Sequence, residues 1–298
     1  MPPIEHRMLR LQTLTLHVAL AGDAQAPLVL LLHGFPETWQ AWERHIAPLV
    51  ACGWRVAAVD QRGCGSSERP RGLRAYALDR LAADVEEVAE RLGASRFSLV
   101  GHDWGGIVAW QLASARPGKV ERLVILNAPH PAAMGAYLWT HPFQWLRSGY
   151  VGFFQLPLLP EAVLSAGDFA LPTRALTHTS RPKTFGADLL AAYRAAWAQP
   201  GALTAMLSVY RALVLARPHP GRVQAPTLVI WGDRDTALEP GLADAALQRC
   251  DNAELVRLAD ATHWLHHEQP VKVSGLICDF LAQGHAPSPA PATDTPPG

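Results

Sequence analysis

An aspartate lies among small residues where an apolar run gives way to a helical pattern. In the segment Gly101-His-Asp103-Trp-Gly-Gly106, glycines stand two residues before Asp103 and two and three residues after it. This is the spacing of a nucleophile elbow, a strained turn that lifts one side chain above a sheet. An isolated Asp at such a turn is more often a helix cap, but the flanking glycines favour the nucleophile. A carboxylate is ionised at neutral pH and needs no base to activate it.

Two later segments supply candidate partners for this aspartate. Asp235 follows one apolar run, and His263 follows another. The chain order nucleophile, acid, histidine is one in which catalytic triads occur. Asp235 is our choice for the acid, with Asp233 as the weaker candidate. His263 is preferred over His266 and His267, which we expect in the helix that follows.

A third segment has the form of an oxyanion loop. His33-Gly-Phe35-Pro36 comes directly after the apolar run Leu28–Leu32. The backbone N–H of Phe35, with that of Trp104 after the nucleophile, would face a negative charge that develops on an oxygen. Taken alone, this segment could be only a turn with a cis proline. Together the three segments predict nucleophilic catalysis.

Short apolar runs alternate with helical patterns along most of the chain. The clearest helix has apolar residues at steps of three and four from Leu78 to Leu92, and Gly93 ends it. Residues 9–20 alternate between apolar and polar, which predicts one or two antiparallel strands at a sheet edge. The alternation of strand and helix predicts an α/β fold with a mostly parallel, doubly wound sheet. The expected buried strands are Leu28–Leu32, Val56–Val59, Phe97–Val100, Leu123–Leu126 and Leu228–Trp231.

One long interval interrupts this rhythm. About a hundred residues separate the run that ends at Leu126 from the one that starts at Leu228, far more than an ordinary connection. The interval is rich in aromatic residues and has helical spacing around Tyr193. We therefore expect a helical cap at residues 131–220 that closes an apolar pocket over the carboxyl ends of the strands. Residues 1–130 and 221–283 would form the core domain, and the Pro- and Ala-rich residues 284–298 a flexible tail.

Composition excludes several classes of function. The 298 residues include 26 Lys and Arg and 26 Asp and Glu, so the net charge is zero and a basic footprint for nucleic acid is missing. No apolar run reaches the roughly 18 residues of a membrane span. The four cysteines are widely spaced and fit neither a zinc site nor a dense disulfide framework, which favours a reducing, cytoplasmic location. We expect no metal and no organic cofactor.

The motifs resemble those of the epoxide hydrolase group of the α/β-hydrolase superfamily, over about residues 9–282. The matching segments are His33-Gly-Phe-Pro-Glu37, Gly101-His-Asp-Trp-Gly-Gly106, Gly232-Asp-Arg-Asp235 and Thr262-His-Trp264. The resemblance implies an α/β-hydrolase fold with a helical cap. It also implies an Asp nucleophile at Asp103 and a histidine and acid at His263 and Asp235.

The resemblance extends more weakly into the cap. Tyr150 and Tyr210 stand in segments similar to those that carry the group's two ring-opening tyrosines. Gly149 and Gly152 replace bulkier residues expected beside the first tyrosine, which leaves the shape of the pocket open. The residues that the resemblance implies as substrate contacts are His33, Pro36, Phe154 and Trp264.

The implied reaction has two steps that suit these residue types. Asp103 would attack the strained carbon of an epoxide and form an ester, while two neutral phenols protonate the departing oxygen. His263, oriented by Asp235, would then draw a proton from a water molecule that attacks the ester. The N–H groups of Phe35 and Trp104 would hold the resulting oxyanion. The product is a vicinal diol, and the cap aromatics imply a small apolar or aryl epoxide as substrate.

Two other functions stay open on the same scaffold. A haloalkane dehalogenase displaces halide with the same Asp-based core. Trp104 could supply one halide donor, but Phe35 stands where many such enzymes have Asn, and a second donor would have to be Trp139, Trp145 or Trp197. A fluoroacetate-type enzyme would have Arg where this chain has Trp104. A non-catalytic binding module is less favoured because all three candidate triad residues are present.

Overall fold

The computed structural model describes residues 2–215 and 221–283, and among them eight strands form one sheet. The strand order is β1-β2-β4-β3-β5-β6-β7-β8. β2 pairs antiparallel with β1 and β4, and all other neighbours pair in parallel. The predicted α/β fold class is therefore confirmed. The strands are β1 Glu5–Arg10, β2 Thr15–Ala21, β3 Leu28–Leu32, β4 Arg55–Val59, β5 Phe97–His102, β6 Val120–Leu126, β7 Thr227–Gly232 and β8 Ala253–Leu258.

Helices cover both faces of this sheet. Every residue of β3, β5 and β7 is buried, as expected for central parallel strands with helices on either side. The predicted stripe from Leu78 to Leu92 is buried on one face, and Ile46 and Ile277 pack on the other. The helices of these layers are α1 Glu43–Ala51, α2 Leu78–Arg91, α3 Trp104–Ala115, α10 Gly241–Leu247 and α12 Pro270–Ala282, with the short α11 Leu265–Glu268 before the last.

The long interval between β6 and β7 is helical, as expected. Its helices are α4 Pro131–Thr140, α5 Pro142–Arg147, α6 Gly149–Phe154, α7 Leu159–Thr179, α8 Ala187–Trp197 and α9 Ala202–Arg211, followed by the 3-10 turn Ala212–Leu215. Within α7, Gly167, Asp168 and Phe169 have positive φ angles and divide the helix in two. The expected cap boundary at Pro220 and the expected tail at residues 284–298 lie outside the described residues.

Aromatic side chains join these helices to the sheet. Trp104 and Trp264 follow sheet strands and pack in one buried cluster with Tyr193, Trp197 and Tyr210 of the inserted helices. Each of these five residues is at most 7% exposed. The inserted helices are therefore anchored over the carboxyl ends of β5 and β8, where the candidate nucleophile and histidine lie.

Two of the four cysteines are paired. Cys52, just after α1, forms a disulfide with Cys278 of α12, across 226 residues of sequence. Cys64 and Cys250 are free. The sequence spacing gave no sign of this pair.

Candidate active site

Asp103 lies in the tight turn between β5 and α3. Its backbone has φ 49° and ψ −120°, and its side chain makes no capping hydrogen bond to α3. A Cβ on Gly105 would lie 2.2 Å from the carbonyl oxygen of Leu32, so only glycine lets the turn pack this closely. The Asp103 side chain is thus free of the capping role and faces the space above the sheet.

The oxyanion loop contacts this carboxylate. The backbone N–H of Phe35 donates a hydrogen bond to Oδ1 of Asp103 at 2.9 Å, and the Phe35–Pro36 peptide bond is cis. Trp104 is the first residue of α3, so its N–H has no acceptor within the helix. Two backbone donors therefore stand near the candidate nucleophile, one of them already bound to it.

His263 lies between the two candidate carboxylates. Its Nδ1 is 2.7 Å from Oδ2 of Asp235, and its Nε2 is 3.6 Å from Oδ2 of Asp103. Asp233, the weaker candidate for the acid, instead pairs with Arg257 at 2.8 Å. As expected, His266 and His267 belong to the following helix α11. The two nitrogens of the His263 ring therefore face Asp235 and Asp103, respectively.

Further hydrogen bonds hold the Asp235 carboxylate. Oδ1 accepts from the backbone N–H groups of Ala237 and Leu238, and Oδ2 accepts from the side-chain amide of Asn127 at 2.6 Å. Sequence reasoning did not find Asn127, which has a positive φ angle of 37° directly after β6. These donors fix the carboxylate toward His263.

The charges of the site raise the pKa of the histidine. Burial alone would lower the pKa of His263, but the charge and hydrogen bond of Asp235, with a smaller contribution from Asp103, raise it to about 9. Burial would likewise raise the pKa of Asp235, yet the positive charge of His263 and its hydrogen bond lower it. The resting site therefore carries a protonated histidine between two carboxylates.

The two tyrosines of the inserted helices line the same cavity as Asp103. Tyr150 of α6 and Tyr210 of α9 have ring centroids 6.0 Å apart, and the Tyr210 hydroxyl interacts with the hydroxyl of Tyr150 and with the indole of Trp104. Burial, followed by the negative charges of Asp103 and Asp235, raises the pKa of Tyr150. Burial, followed by Tyr150 and Asp103, raises that of Tyr210 well above its usual range. Both phenols are therefore protonated at neutral pH.

One cavity brings these groups together. It has a volume of about 400 Å³, and Asp103, His263, Tyr150 and Tyr210 share its lining with mostly apolar side chains. That volume is within the range of small-molecule sites. Among the expected substrate contacts, Pro36, Phe154 and Trp264 line the cavity.

The fourth expected substrate contact, His33, does not line the cavity. Its ring is buried below the loop, where Nδ1 contacts the carbonyl oxygen of Gly34 at 2.8 Å and Nε2 accepts from the backbone N–H of Gln61. One ring nitrogen therefore contacts the oxyanion loop and the other the loop after β4, and the expectation that His33 contacts substrate is corrected accordingly.

A second buried network lies behind His263. The carboxylate of Glu37 is fully buried and contacts Nε2 of His267 at 2.6 Å, Nδ1 of His102 at 3.2 Å and the hydroxyl of Tyr193 at 3.1 Å. Nε2 of His102 in turn contacts the carbonyl oxygen of His263 at 2.9 Å. Ligand atoms of Glu37, His102 and His266 lie within 4.8 Å of one another. The network supports the backbone of the candidate histidine, and the sequence assigned it no role.

Known proteins are similar to this chain over most of its length. The family model described as "alpha/beta hydrolase fold" matches residues 27–270. Epoxide hydrolase 4 of Mus musculus is 38% identical over 281 residues, which cover 91% of this chain and 77% of that protein. The chain belongs to the epoxide hydrolase group of the α/β-hydrolase superfamily. The AB hydrolase superfamily protein YfhM of Bacillus subtilis is 43% identical over 271 residues, covering 90% of this chain and 94% of that protein.

A solved structure also supports the assignment of this chain to the epoxide hydrolase group. That structure is described as one of the novel epoxide hydrolases in metagenomes from hot environments. Its superposition on this chain has a TM-score of 0.84 at 32% sequence identity and covers 95% of this chain and 100% of that one. The resemblance read from the motifs is thereby confirmed at the level of family, fold and enzyme class. Across residues 2–215 and 221–283, no helix of the epoxide hydrolase has the length and apolar character needed to cross a membrane.

Proposed function

We propose that this enzyme converts an epoxide and water to a vicinal diol through a covalent ester on Asp103. One observation carries the proposal: the Asp103 carboxylate lines a mostly apolar cavity together with the two phenols Tyr150 and Tyr210 and with His263, whose Nε2 is 3.6 Å from Oδ2 of Asp103. An epoxide offers a strained sp3 carbon, which a carboxylate can displace directly. The relatives named epoxide hydrolases support the same reaction class.

In the first step an oxygen of Asp103 bonds to an epoxide carbon and the ring C–O bond breaks. The departing oxygen becomes an alkoxide that needs a proton. Tyr150 and Tyr210 are suited to donate it, because both are neutral in the cavity and their hydroxyls already interact. The N–H of Phe35 holds the carboxylate in position for the attack.

In the second step water hydrolyses the ester. Ester formation removes the negative charge of Asp103, one of the causes that raise the pKa of His263, so the pKa of the histidine falls. The proton that His263 loses balances the one that the phenols gave to the alkoxide. The neutral imidazole, oriented by Asp235, then takes a proton from the attacking water. The N–H groups of Phe35 and Trp104 stabilise the oxyanion on the Asp103 carboxyl, which is typically worth about 3–4 kcal/mol per donor.

The division of the chain follows from this proposal. Residues 131–220 act as the cap that supplies the phenols and most of the apolar lining, and residues 1–130 with 221–283 act as the core that supplies the nucleophile, acid and base. A small apolar or aryl epoxide fits the lining and the volume of the cavity. No step calls for a metal or an organic cofactor.

The contacts of the cap tryptophans argue against the dehalogenase alternative. A halide site needs free N–H donors, but the indole of Trp197 donates to the carbonyl oxygen of Pro36 and that of Trp145 to the carbonyl oxygen of Leu138. Trp139 is 90% exposed and does not line the cavity. None of the three cap tryptophans therefore offers a second donor beside Trp104.

The proposal is tested with a panel of substrates. Purified enzyme is given terminal, aryl and fatty-acyl epoxides beside haloalkanes and fluoroacetate, and diol and free halide are assayed together, with Asp103→Ala as control. We expect diol from at least one epoxide class and none from the variant. Halide release without diol, or diol formation that survives in Asp103→Ala, would refute the proposed reaction.

A further inference from the structure

Arg147 brings a permanent positive charge to a cavity that is otherwise mostly apolar. It is the last residue of α5 and lines the same cavity as Asp103 and His263. Its Nη1 donates to the carbonyl oxygens of Asp235, at 2.9 Å, and Leu238, at 3.4 Å. The guanidinium is thus tied to the loop that holds Asp235.

The rest of the guanidinium has no partner in the part of the chain that the structure describes. Arginine carries five N–H donors, and only those on Nη1 are used within residues 2–215 and 221–283. No carboxylate of these residues forms an ion pair with Arg147. Arg211 of the same cap shows the contrast, because its donors bind Glu161 and the carbonyl oxygens of Phe154 and Leu156.

We propose that Arg147 binds a carboxylate at one end of the substrate, so that the preferred substrate is an apolar epoxide that carries an acid group. The inference rests on the proposed function and extends it to a substrate class. The planar guanidinium presents Nε and Nη2 side by side, the geometry that binds a carboxylate through two hydrogen bonds. Such charge-assisted bonds are stronger than neutral ones.

The opposite charges of Asp103 and Arg147, which line the same cavity, would also fix the orientation of the substrate. The carboxylate of Asp103 repels an acid group, and Arg147 attracts it. An acid-bearing epoxide therefore enters with its ring toward Asp103 and its carboxylate at Arg147, which is exposed to solvent and keeps that end hydrated. The apolar side chains of the cavity hold the body of the molecule.

The test compares matched acids and amides. Two epoxides, an aryl glycidyl ether and an alkyl epoxide, are each made with a terminal carboxylic acid and with the corresponding carboxamide. Diol formation is measured for the wild type, for Arg147→Gln and for the control Arg174→Gln, an exposed arginine of α7 that does not line the cavity. The amide keeps the size and polarity of the acid but carries no charge.

We expect Arg147→Gln to lower kcat/KM for at least one acid about tenfold or more, mainly through KM, because the contact stabilises substrate and transition state alike. The amides should lose less than the acids, so that the ratio of acid to amide kcat/KM falls about threefold or more, and Arg174→Gln should leave this ratio unchanged. An Arg147 that only supports the loop at Asp235 would affect acid and amide equally, which would overturn the inference. Turnover of the amides but of neither acid would overturn it as well. Failure of every epoxide in the wild type would instead refute the proposed function itself.

Discussion

His263 holds its proton more tightly in the folded chain than an unfolded histidine does, because two carboxylates face it. The pKa of about 9 in the folded state exceeds the usual value near 6.5. The folded state therefore binds more protons between these pH values, and the stabilisation by this site is complete below about pH 6.5 and is lost as the pH rises toward 9.

The first prediction compares the thermal stability of the wild type with that of His263→Gln across this range. Between pH 6.5 and 9 the Tm of the wild type should fall further than the Tm of the variant. The difference between the two falls should correspond to a few kcal/mol of unfolding free energy. Melting curves in buffers of equal ionic strength measure this difference. Parallel pH profiles for the two proteins would mean that His263 is neutral in the resting site.

The second prediction concerns the two phenols, which we assign to the ring-opening step. Tyr150→Phe and Tyr210→Phe should each slow formation of the ester about tenfold or more, and the double variant about a hundredfold or more, since general acids typically contribute 10²–10⁴-fold. Rapid-mixing kinetics separates ester formation from its hydrolysis, and the hydrolysis rate should stay within about threefold.

Tyr137→Phe is the matched control for these variants, because the Tyr137 hydroxyl binds Glu239 and does not line the cavity. It should leave both steps unchanged. Ester formation at the wild-type rate in the double variant would show that another group protonates the alkoxide.

At the scale of elements, the turn from β5 to α3 depends on close backbone contact, and this gives the third prediction. Gly105→Ala would bring a methyl group within 2.2 Å of the carbonyl oxygen of Leu32, so we expect a loss of about 3 kcal/mol or more of unfolding free energy. Gly152→Ala in α6 meets no atom within 4 Å and should be neutral or stabilise by up to about 1 kcal/mol. Denaturant titration of both variants checks the pair, and equal stabilities would contradict the close packing of the turn.

The elements that carry the site could be predicted because their signals are local. The periodicity of α2, the apolar runs of β3, β5 and β7 and the glycines around Asp103 lie within short windows of sequence. Contacts between distant segments leave no such signal. Asn127 and Asp235 are 108 residues apart, and Arg147 reaches the Asp235 carbonyl across 88 residues.

The wrong expectation for His33 has the same physical cause. His33 belongs to the predicted oxyanion loop, but sequence cannot show which way a side chain turns within a loop. In the structure its Nδ1 contacts the carbonyl oxygen of Gly34 in the same loop, and its Nε2 accepts from the backbone N–H of Gln61 after β4. The Glu37 network was missed because Glu37 and its histidines come from three separate segments, which meet only when the sheet and α11 are assembled.

At the scale of the whole molecule, the disulfide between Cys52 and Cys278 joins α1 to α12, the last helix of the described residues. The fourth prediction is that reduction lowers Tm, because closing a loop of 226 residues restricts the unfolded chain, an effect of about 2–5 kcal/mol. Thiol titration of the denatured protein should find two thiols without reductant and four with it.

Cys52→Ser should melt at the temperature of the reduced wild type and be insensitive to reductant, whereas Cys64→Ser should keep the response. Four free thiols in protein purified without reductant would contradict the pairing.

The fold as a whole brings the proposed chemistry together from separate parts of the chain. Asp103, Asp235 and His263 follow β5, β7 and β8, and the carboxyl ends of parallel strands meet at one edge of the sheet. Helices α6 and α9 then hold Tyr150 and Tyr210 over that edge. The proposed nucleophile, its histidine and both phenols therefore line one cavity.

Trapping of that ester tests the central claim most directly. The His263→Gln variant is mixed with an epoxide that the wild type converts to diol. Its Asp103 should still be alkylated, but the resulting ester should not be hydrolysed. Intact-mass spectrometry should then show the protein heavier by the mass of one epoxide, and peptide mapping should locate the addition at Asp103. Absence of any adduct, or an adduct on a different residue, with an epoxide that the wild type converts to diol would contradict the account.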